Sequence, residues 1–307
     1  MPFAKNKTVI IIAGPTAAGK TAVAINLAKY LNTEIISADS RQCFKELDIG
    51  VARPSPQELE QVKHHFIASH SIRDEVNAAT FEQYSLQKLA DLFQRYDSVV
   101  LVGGTGLYIK AFAEGLDEIP AVKPDIRNLI TSNYEERGLA WLQEEIRLKD
   151  PEFYKVGETQ NPQRMMRALE VVESTGRSVL DFRKGKKAER DFNIIKIGLE
   201  LPKEDLHRNI HERVDKMVQH GLVQEVKNLQ SYYRLNALQT VGYSEIFDYL
   251  NGKMSLEEAV RNIKTNTRQY AKRQMTWFRK DADIRWFGPA KFDEIVEYLE
   301  AGQQRSQ

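Results

Sequence analysis

Gly14-Pro15-Thr16-Ala17-Ala18-Gly19-Lys20-Thr21 reads Gly-x4-Gly-Lys-Thr, the pattern of a phosphate-cradling loop. Before it runs Thr8-Val9-Ile10-Ile11-Ile12-Ala13, a short apolar, β-branched run of the kind a buried parallel strand shows. After it, residues 21–31 are rich in helix formers with apolar residues at helical spacing. Strand, glycine loop and helix in that order are the context that gives the motif its meaning. The glycines let backbone N–H groups turn toward an anion, and the helix N-terminus adds partial positive charge. Lys20 supplies a full charge, and the Thr21 hydroxyl can hold Mg²⁺ or a phosphate oxygen. The loop specifies a polyphosphate without saying which. The expected fold is α/β: a P-loop NTPase-like parallel sheet flanked by helices.

The bulk numbers narrow the field. The 307 residues suffice for one large or two modest domains with a real core. Charged residues make up 28% and hydrophobic residues 42%, as in ordinary soluble proteins. No run approaches the roughly 18 apolar residues of a membrane span. The chain enters its first strand almost at once, which reads as leaving no room for a signal peptide. A single cysteine, Cys43, excludes an internal disulfide framework and a multi-cysteine zinc site, and is expected to be half-buried. A cytoplasmic protein is expected. The net charge is +1, so no global field draws nucleic acid. Charge is nevertheless uneven. Arg261 to Lys280 holds seven Lys or Arg and no Asp or Glu, and Arg183 to Lys187 holds four more. Such stripes can bind a polyanion locally.

A second strand is expected at 34–37, leading into Ala38-Asp39-Ser40-Arg41-Gln42. Ligands of parallel sheets sit beyond the carboxyl ends of the strands, so Asp39 shares a rim with Lys20. There it can bind Mg²⁺, act as a general base, or merely cap a helix or loop. Arg41 and Gln42 either reach a ligand or face solvent. Residues 55–62 read as a short helix with Ser55 as cap and Pro56 in its first turn. His64 and His65 are adjacent and point apart, so core or hydrogen-bonding roles are expected. Thr80 to Tyr96 reads as a helix capped by Thr80. Ser98 to Val102 is the next buried strand. It enters a second glycine turn, Gly103-Gly104-Thr105-Gly106, which permits close approach to a ligand or simply a tight turn. Thr105 could line a shared cleft.

From about Leu116 the pattern turns all-helical, with helices expected at 124–137, 139–149 and 162–174. This suggests an inserted subdomain over 116–185 within an α/β core of 1–115 and 186–307. Asn161-Pro162 starts a helix whose first turn presents Gln163, Arg164 and Arg167, either as a plain polar face or as a grip on phosphates. The basic segment 183–190 reads as a linker. Residues 193–199 return to strand pattern, and 202–230 to a long helical stretch bent or broken at Gly221. Leu206, Ile210, Val214 and Met217 form its apolar stripe. Arg213 lies at the stripe's edge, pointing inward to an anion or lying on apolar surface with a solvated head. Thr240-Val241-Gly242-Tyr243 is a turn that begins another helix. Residues 255–280 form a strong helix with Arg261, Lys264, Arg268, Lys272 and Arg279 along one side, interleaved with Tyr270, Trp277 and Phe278. Cations alternating with aromatics suit a nucleic-acid backbone with exposed bases. An edge strand is expected at 283–287, and a polar, frayed tail from Gly302.

Taken together, GPTAAGKT (14–21), ISADSRQ (36–42), LDIGVARP (47–54), HHFI (64–67), LVGGTGLY (101–108), NPQRMMRALEV (161–171), VGYSEI (241–246) and AKRQMTWFRK (271–280) resemble the tRNA dimethylallyltransferase family, also called tRNA isopentenyltransferase. The stretches span nearly the whole chain in the family's order, and the likeness is to its bacterial form. The resemblance implies transfer of a dimethylallyl group from dimethylallyl diphosphate to N6 of the adenosine just 3′ of the anticodon, in tRNAs reading codons that begin with U. The loop Gly14, Pro15, Thr16, Ala17, Ala18, Gly19, Lys20 and Thr21 would then hold diphosphate rather than ATP, with Mg²⁺ at Thr21. Asp39 is implied as general base, and Thr21 and Arg213 as catalytic partners stabilising the departing diphosphate. Contacts to the anticodon stem-loop are implied for Asp39, Ser40, Arg41, Gln42, Thr105, Arg127, Gln163, Arg164, Met165, Met166, Arg167, Gly242, Tyr243, Lys272, Arg273, Gln274, Trp277 and Arg279. The target base must leave its stack to enter a channel. A monomer is expected. The chain departs from the family pattern at Phe44, Val51 and Asn209, where Tyr, Thr and Arg are usual, and fits poorly over 68–79. The alternative reading is a P-loop small-molecule kinase using ATP, with Arg164 and Arg167 on a lid.

Overall fold

The computed structural model describes residues 7–185 and 187–304. It divides into two compact units, one of Met1–Glu114 with Glu189–Gln307, the other Gly115–Ala188. The larger is built on six strands: β1 (Thr8–Ala13), β2 (Ile35–Ala38), β3 (His64–His65), β4 (Ser98–Gly103), β5 (Asn193–Leu199) and β6 (Ile284–Phe287). Their order is β3-β2-β4-β1-β5-β6, and every pairing is parallel. The P-loop-type α/β sheet expected from the sequence is therefore present, with the 283–287 strand at its edge.

Alternation along the strands explains how the sheet is covered. Val9, Ile11, Val99 and Leu101 face one core, while Ile10, Ile12, Val100 and Val102 face another. The second face is covered by α1 (Lys20–Tyr30) and α12 (Phe292–Gln304), through residues such as Leu27 and Leu299. On the first face lie α3 (Ala78–Leu92), α4 (Gly106–Glu114), α8 (Lys203–Gln219), α9 (Leu222–Asn228), α10 (Tyr243–Leu250) and α11 (Leu256–Phe278). The short helix α2 (Pro56–Gln61) starts at the Ser55 cap that its sequence predicts, and Glu58 completes a capping box there.

The pairing positions the site. Ala13 and Ala38 both pair with Gly103, so the loops after β1, β2 and β4 emerge from one rim.

The smaller unit is helical: α5 (Pro124–Lys149), α6 (Pro151–Val156), α7 (Pro162–Thr175) and a 3-10 turn at Val179–Phe182. Gly138, at φ 73 and ψ −167, breaks α5 into the two helical pieces that its sequence suggests. Ile130, Leu142, Ile146, Phe153, Met165 and Leu169 fill its core. Asp150 Oδ1 accepts from Phe153 N to start α6, an element that its sequence does not announce.

Several local expectations need correction. The N-cap of α3 is Asn77, which accepts from the N–H groups of Ala79 and Thr80, while Thr80 is its capping-box partner. Cys43 is fully buried. Arg190 belongs to the larger unit's fabric, donating to Glu82 and to the carbonyls of Ala111 and Phe112. Helix α12 runs through Gln304, past the expected fraying point. Lys186 and residues 305–307, which fall in the expected basic linker and tail, lie outside the described residues.

Candidate active site

The phosphate loop spans the end of β1 and the start of α1. Gly14 has φ +152, and a Cβ there would stand 2.7 Å from Leu199 O, so only glycine fits. Gly19, the α1 N-cap, has φ 82 and offers no side-chain cap. The first N–H groups of α1 are thus left for an anion. Lys20 Nζ donates to Pro15 O at 2.7 Å. Burial lowers the Lys20 pKa to about 8; Arg213 pushes the same way and Asp39 opposes them.

Asp39 follows β2 directly. Its Oδ1 accepts from Arg41 N (2.9 Å) and Gln42 N (3.2 Å), which orients the carboxylate. The Gln42 amide donates to Val51 O (3.3 Å) and Ala52 O (3.0 Å), joining the Asp39 turn to the 47–54 loop. Thr105 Oγ1 accepts from Ser40 N at 3.1 Å, and Thr105 N donates to Ala38 O at 3.3 Å. The second glycine turn therefore meets the Asp39 turn directly.

Arg213, on α8, donates to Val51 O at 3.4 Å. Burial pulls its pKa below the ordinary arginine range, and only Asp39 opposes that shift. One turn earlier, Asn209 donates to Ala17 O (3.2 Å), so the departure at this position contacts the phosphate loop itself. The other two departures, Phe44 and Val51, are buried.

Two cavities meet at these residues. One, of ≈ 290 Å³, is lined by Thr16 through Ala22 with Ser37, Asp39, Gln42, Glu58, His64 and Arg213. The other, of ≈ 570 Å³, is lined by Ser40, Arg41, Val51, Val214, Met217, Gly242, Ile263, Asn266, Tyr270 and Arg273 among others. Thr16, Asp39 and Arg213 line both. Thr21 lines the first. Among the described residues, no three His, Cys, Asp or Glu side chains gather as a metal cage. His64 Nδ1 lies 2.8 Å from Val62 O. His65 pairs with the buried Glu34 at 2.6 Å.

Helix α11 distributes its expected contacts unequally. Gln274 is buried, and both ends of its amide are engaged: Oε1 accepts from Thr16 N (2.8 Å) and Nε2 donates to Gly104 O (2.9 Å). It braces both glycine turns and is not a side chain available to RNA. Phe278 is likewise buried. Lys272, Arg273 and Arg279 are exposed, as is Trp277 at 39%. Lys264 pairs with Asp215 of α8 at 2.6 Å, an acidic partner that the helix's own sequence does not reveal. Arg279 lies 3.5 Å from Glu200. Tyr270, 38% exposed, lines the larger cavity; desolvation of its hydroxyl there, and then Asp39, push its pKa up to about 12.

Tyr243 is fully buried, so it is not an RNA-facing side chain either. Its hydroxyl donates to Glu225 Oε1 at 2.5 Å, and burial with that carboxylate raises its pKa. Glu225 also accepts from the N–H groups of Asp48, Ile49 and Gly50. Gly242 lines the larger cavity.

Within the smaller unit, Gln163 and Arg164 are exposed, and Arg164 pairs with Glu158 at 2.6 Å. Arg127 (3.4 Å) and Arg167 (3.2 Å) both engage the buried Glu170. Met165 and Met166 are buried in that unit's core. Their side chains therefore face inward and offer RNA no side-chain contact: on this amphipathic helix the positions between exposed Arg164 and half-buried Arg167 turn to the core.

Sequence reasoning missed Ser37, Glu58 and His64 in the smaller cavity and Met217, Ile263 and Asn266 in the larger. Met217 and Ile263 sit at apolar periodic positions like any core residue, and Asn266 is an ordinary polar helix position, so none carries a distinguishing mark.

A family model described as IPP transferase matches residues 42–281. A tRNA dimethylallyltransferase of Cytophaga hutchinsonii is 47% identical over 299 residues, covering 97% of this chain and 98% of its own length. One from Christiangramia forsetii is 48% identical over 296 residues, covering 95% and 97%. Among solved structures, the full-length tRNA isopentenylpyrophosphate transferase of Bacillus halodurans aligns with a TM-score of 0.72 at 34% identity, covering 98% of both chains. A eukaryotic dimethylallyltransferase acting on tRNA aligns with a TM-score of 0.76 at 26% identity, covering 94% of this chain and 76% of its own. These likenesses do not favour the kinase alternative.

Proposed function

The chain belongs to the tRNA dimethylallyltransferase family, and on that premise we propose that it transfers the dimethylallyl group of dimethylallyl diphosphate to N6 of the adenosine 3′ of the anticodon, in tRNAs reading U-starting codons. The observation that carries the reading is the shared wall. Thr16, Asp39 and Arg213 line both a phosphate-loop cavity and a second, larger one. A reaction that joins a diphosphate ester to a separate acceptor needs such a meeting point.

In this reading the first N–H groups of α1, Lys20, Thr21 and Arg213 hold the diphosphate. The exocyclic amine enters from the larger cavity and attacks C1 of the donor. The N6–C1 bond forms, the C1–O bond breaks, and its electron pair leaves on the diphosphate. The N6 proton passes to Asp39. Asp39 Oδ1 is already engaged by two backbone N–H groups, which leaves Oδ2 to meet the amine. Arg213 and Lys20 stabilise the charge that develops on the leaving group. The donor set suits Mg²⁺ at Thr21, because Mg²⁺ binds largely through substrate phosphates and waters and needs few protein oxygens. When bound it would neutralise diphosphate charge.

The anticodon stem-loop is read by Ser40, Arg41, Thr105, Lys272, Arg273, Trp277 and Arg279 in the larger unit. Arg127, Gln163, Arg164 and Arg167 of the smaller unit grip it as well. A monomer in the cytoplasm completes the reading.

Label transfer tests it. The chain is incubated with Mg²⁺, labelled dimethylallyl diphosphate and an anticodon stem-loop bearing adenosine at the target position, alongside Asp39→Ala. Label in RNA with wild type, lost with Asp39→Ala, is expected. No label in any tRNA would overturn the assignment.

A further inference from the structure

Helix α8 measures distance from the phosphate loop. Asn209 touches Ala17 O, Arg213 lines both cavities, and Val214 and Met217 line only the larger one. Arg213 and Met217 are four residues apart, so their side chains lie on one face about one turn, ~5–6 Å, apart. Val51, Val214 and Ile263 share that lining with Met217 and belong with it to one buried apolar cluster. All are nearly inaccessible to solvent, Met217 at 9% included. The rest of the lining is mainly polar, with Arg41, Asn266, Tyr270 and Arg273, and includes Val241. Such a mixed lining offers an apolar chain the patch around Val214 and Met217 of α8, and a hydrogen-bonding base the polar groups.

We propose that the α8 wall is the prenyl subsite and that Met217 sets the length of the prenyl donor. The inference rests on the prenyl-transfer reading above. With the donor C1 beside Asp39 and Arg213, a dimethylallyl group extends about 4–5 Å, which is the reach from Arg213 to Met217. One further isoprene unit has to occupy the space of the Met217 side chain. Bond changes are the same for either donor: N6–C1 forms, C1–O breaks, the pair leaves on diphosphate and the N6 proton goes to Asp39.

The test compares dimethylallyl and geranyl diphosphate as donors to the same stem-loop, for wild type, Met217→Ala and Met217→Trp, with inorganic diphosphate affinity as a check on the fold and the phosphate site. Wild type is expected to favour the short donor. Met217→Ala is expected to raise the geranyl-to-dimethylallyl ratio of kcat/KM at least tenfold. Met217→Trp is expected to raise the dimethylallyl KM at least tenfold while binding inorganic diphosphate like wild type. If Met217→Ala binds inorganic diphosphate normally and its donor ratio stays within twofold of wild type, Met217 does not set length. Likewise, an unchanged dimethylallyl KM in Met217→Trp overturns the subsite. Failure of wild type to transfer either donor would instead sink the prenyl-transfer reading on which this rests.

Discussion

Gln274→Ala separates two roles for one side chain. Its amide holds Thr16 N at 2.8 Å and Gly104 O at 2.9 Å, so it ties the α11 helix to both glycine turns of the active-site rim. Truncation removes two hydrogen bonds, worth about 1 kcal/mol each, and strands the carbonyl of buried Gly104, whose desolvation costs about 1–3 kcal/mol. A water entering the space recovers part of this. A net loss of about 2–4 kcal/mol is expected. For a unit of this size, each kcal/mol lowers Tm by about 2–4 °C, giving a drop of about 4–16 °C. Because Thr16 lies in the phosphate loop and lines its cavity, affinity for inorganic diphosphate should weaken as well. The assay is thermal denaturation paired with calorimetric titration of diphosphate and, separately, of stem-loop RNA. If Gln274 instead served RNA, the melt and the diphosphate affinity would stay at wild-type values and only RNA affinity would fall. That result would refute the bracing argument.

Glu225→Ala removes the acceptor for three loop N–H groups and for Tyr243; a loss of about 2–4 kcal/mol is expected, with faster hydrogen exchange at the Gly50 amide as its local sign. Gly103→Ala would place a Cβ 2.1 Å from Ala38 O in the middle of the rim, and should yield little folded protein in a soluble-expression and melting comparison. Lys20 has its pKa lowered to about 8 against an ordinary 10.5. Folded protein therefore binds fewer protons than unfolded between those values, and the burial penalty on stability is relieved as pH rises across that window. Bound diphosphate favours charged Lys20, so its affinity should fall as pH climbs above 8. Lys20→Met should remove that step, and an unchanged profile in the variant would discount Lys20. Arg167→Ala should weaken stem-loop binding and reduce the salt slope by about one, without altering diphosphate affinity.

The local patterns of this sequence were enough for the α/β core. Gly-x4-Gly-Lys-Thr between an apolar β-branched run and a helix marks β1, its loop and α1, because each depends on neighbours in the chain. The cap at Ser55 and the break at Gly138 are legible for the same reason. Short β3 was not, since two residues carry no periodicity, and α6 was not, since its start depends on buried Asp150. The site divides along the same line. Lys20 and Asp39 could be assigned to one rim from strand ends alone. That Asp39, Thr16 and Arg213 form the wall between two cavities required α8 to be laid across the loops after β1 and β2. Equally, Gln274, Met165 and Tyr243 look from sequence like surface contacts beside exposed neighbours. Burial decides otherwise, and burial is a property of what packs against a residue from elsewhere in the chain, which no local spacing encodes.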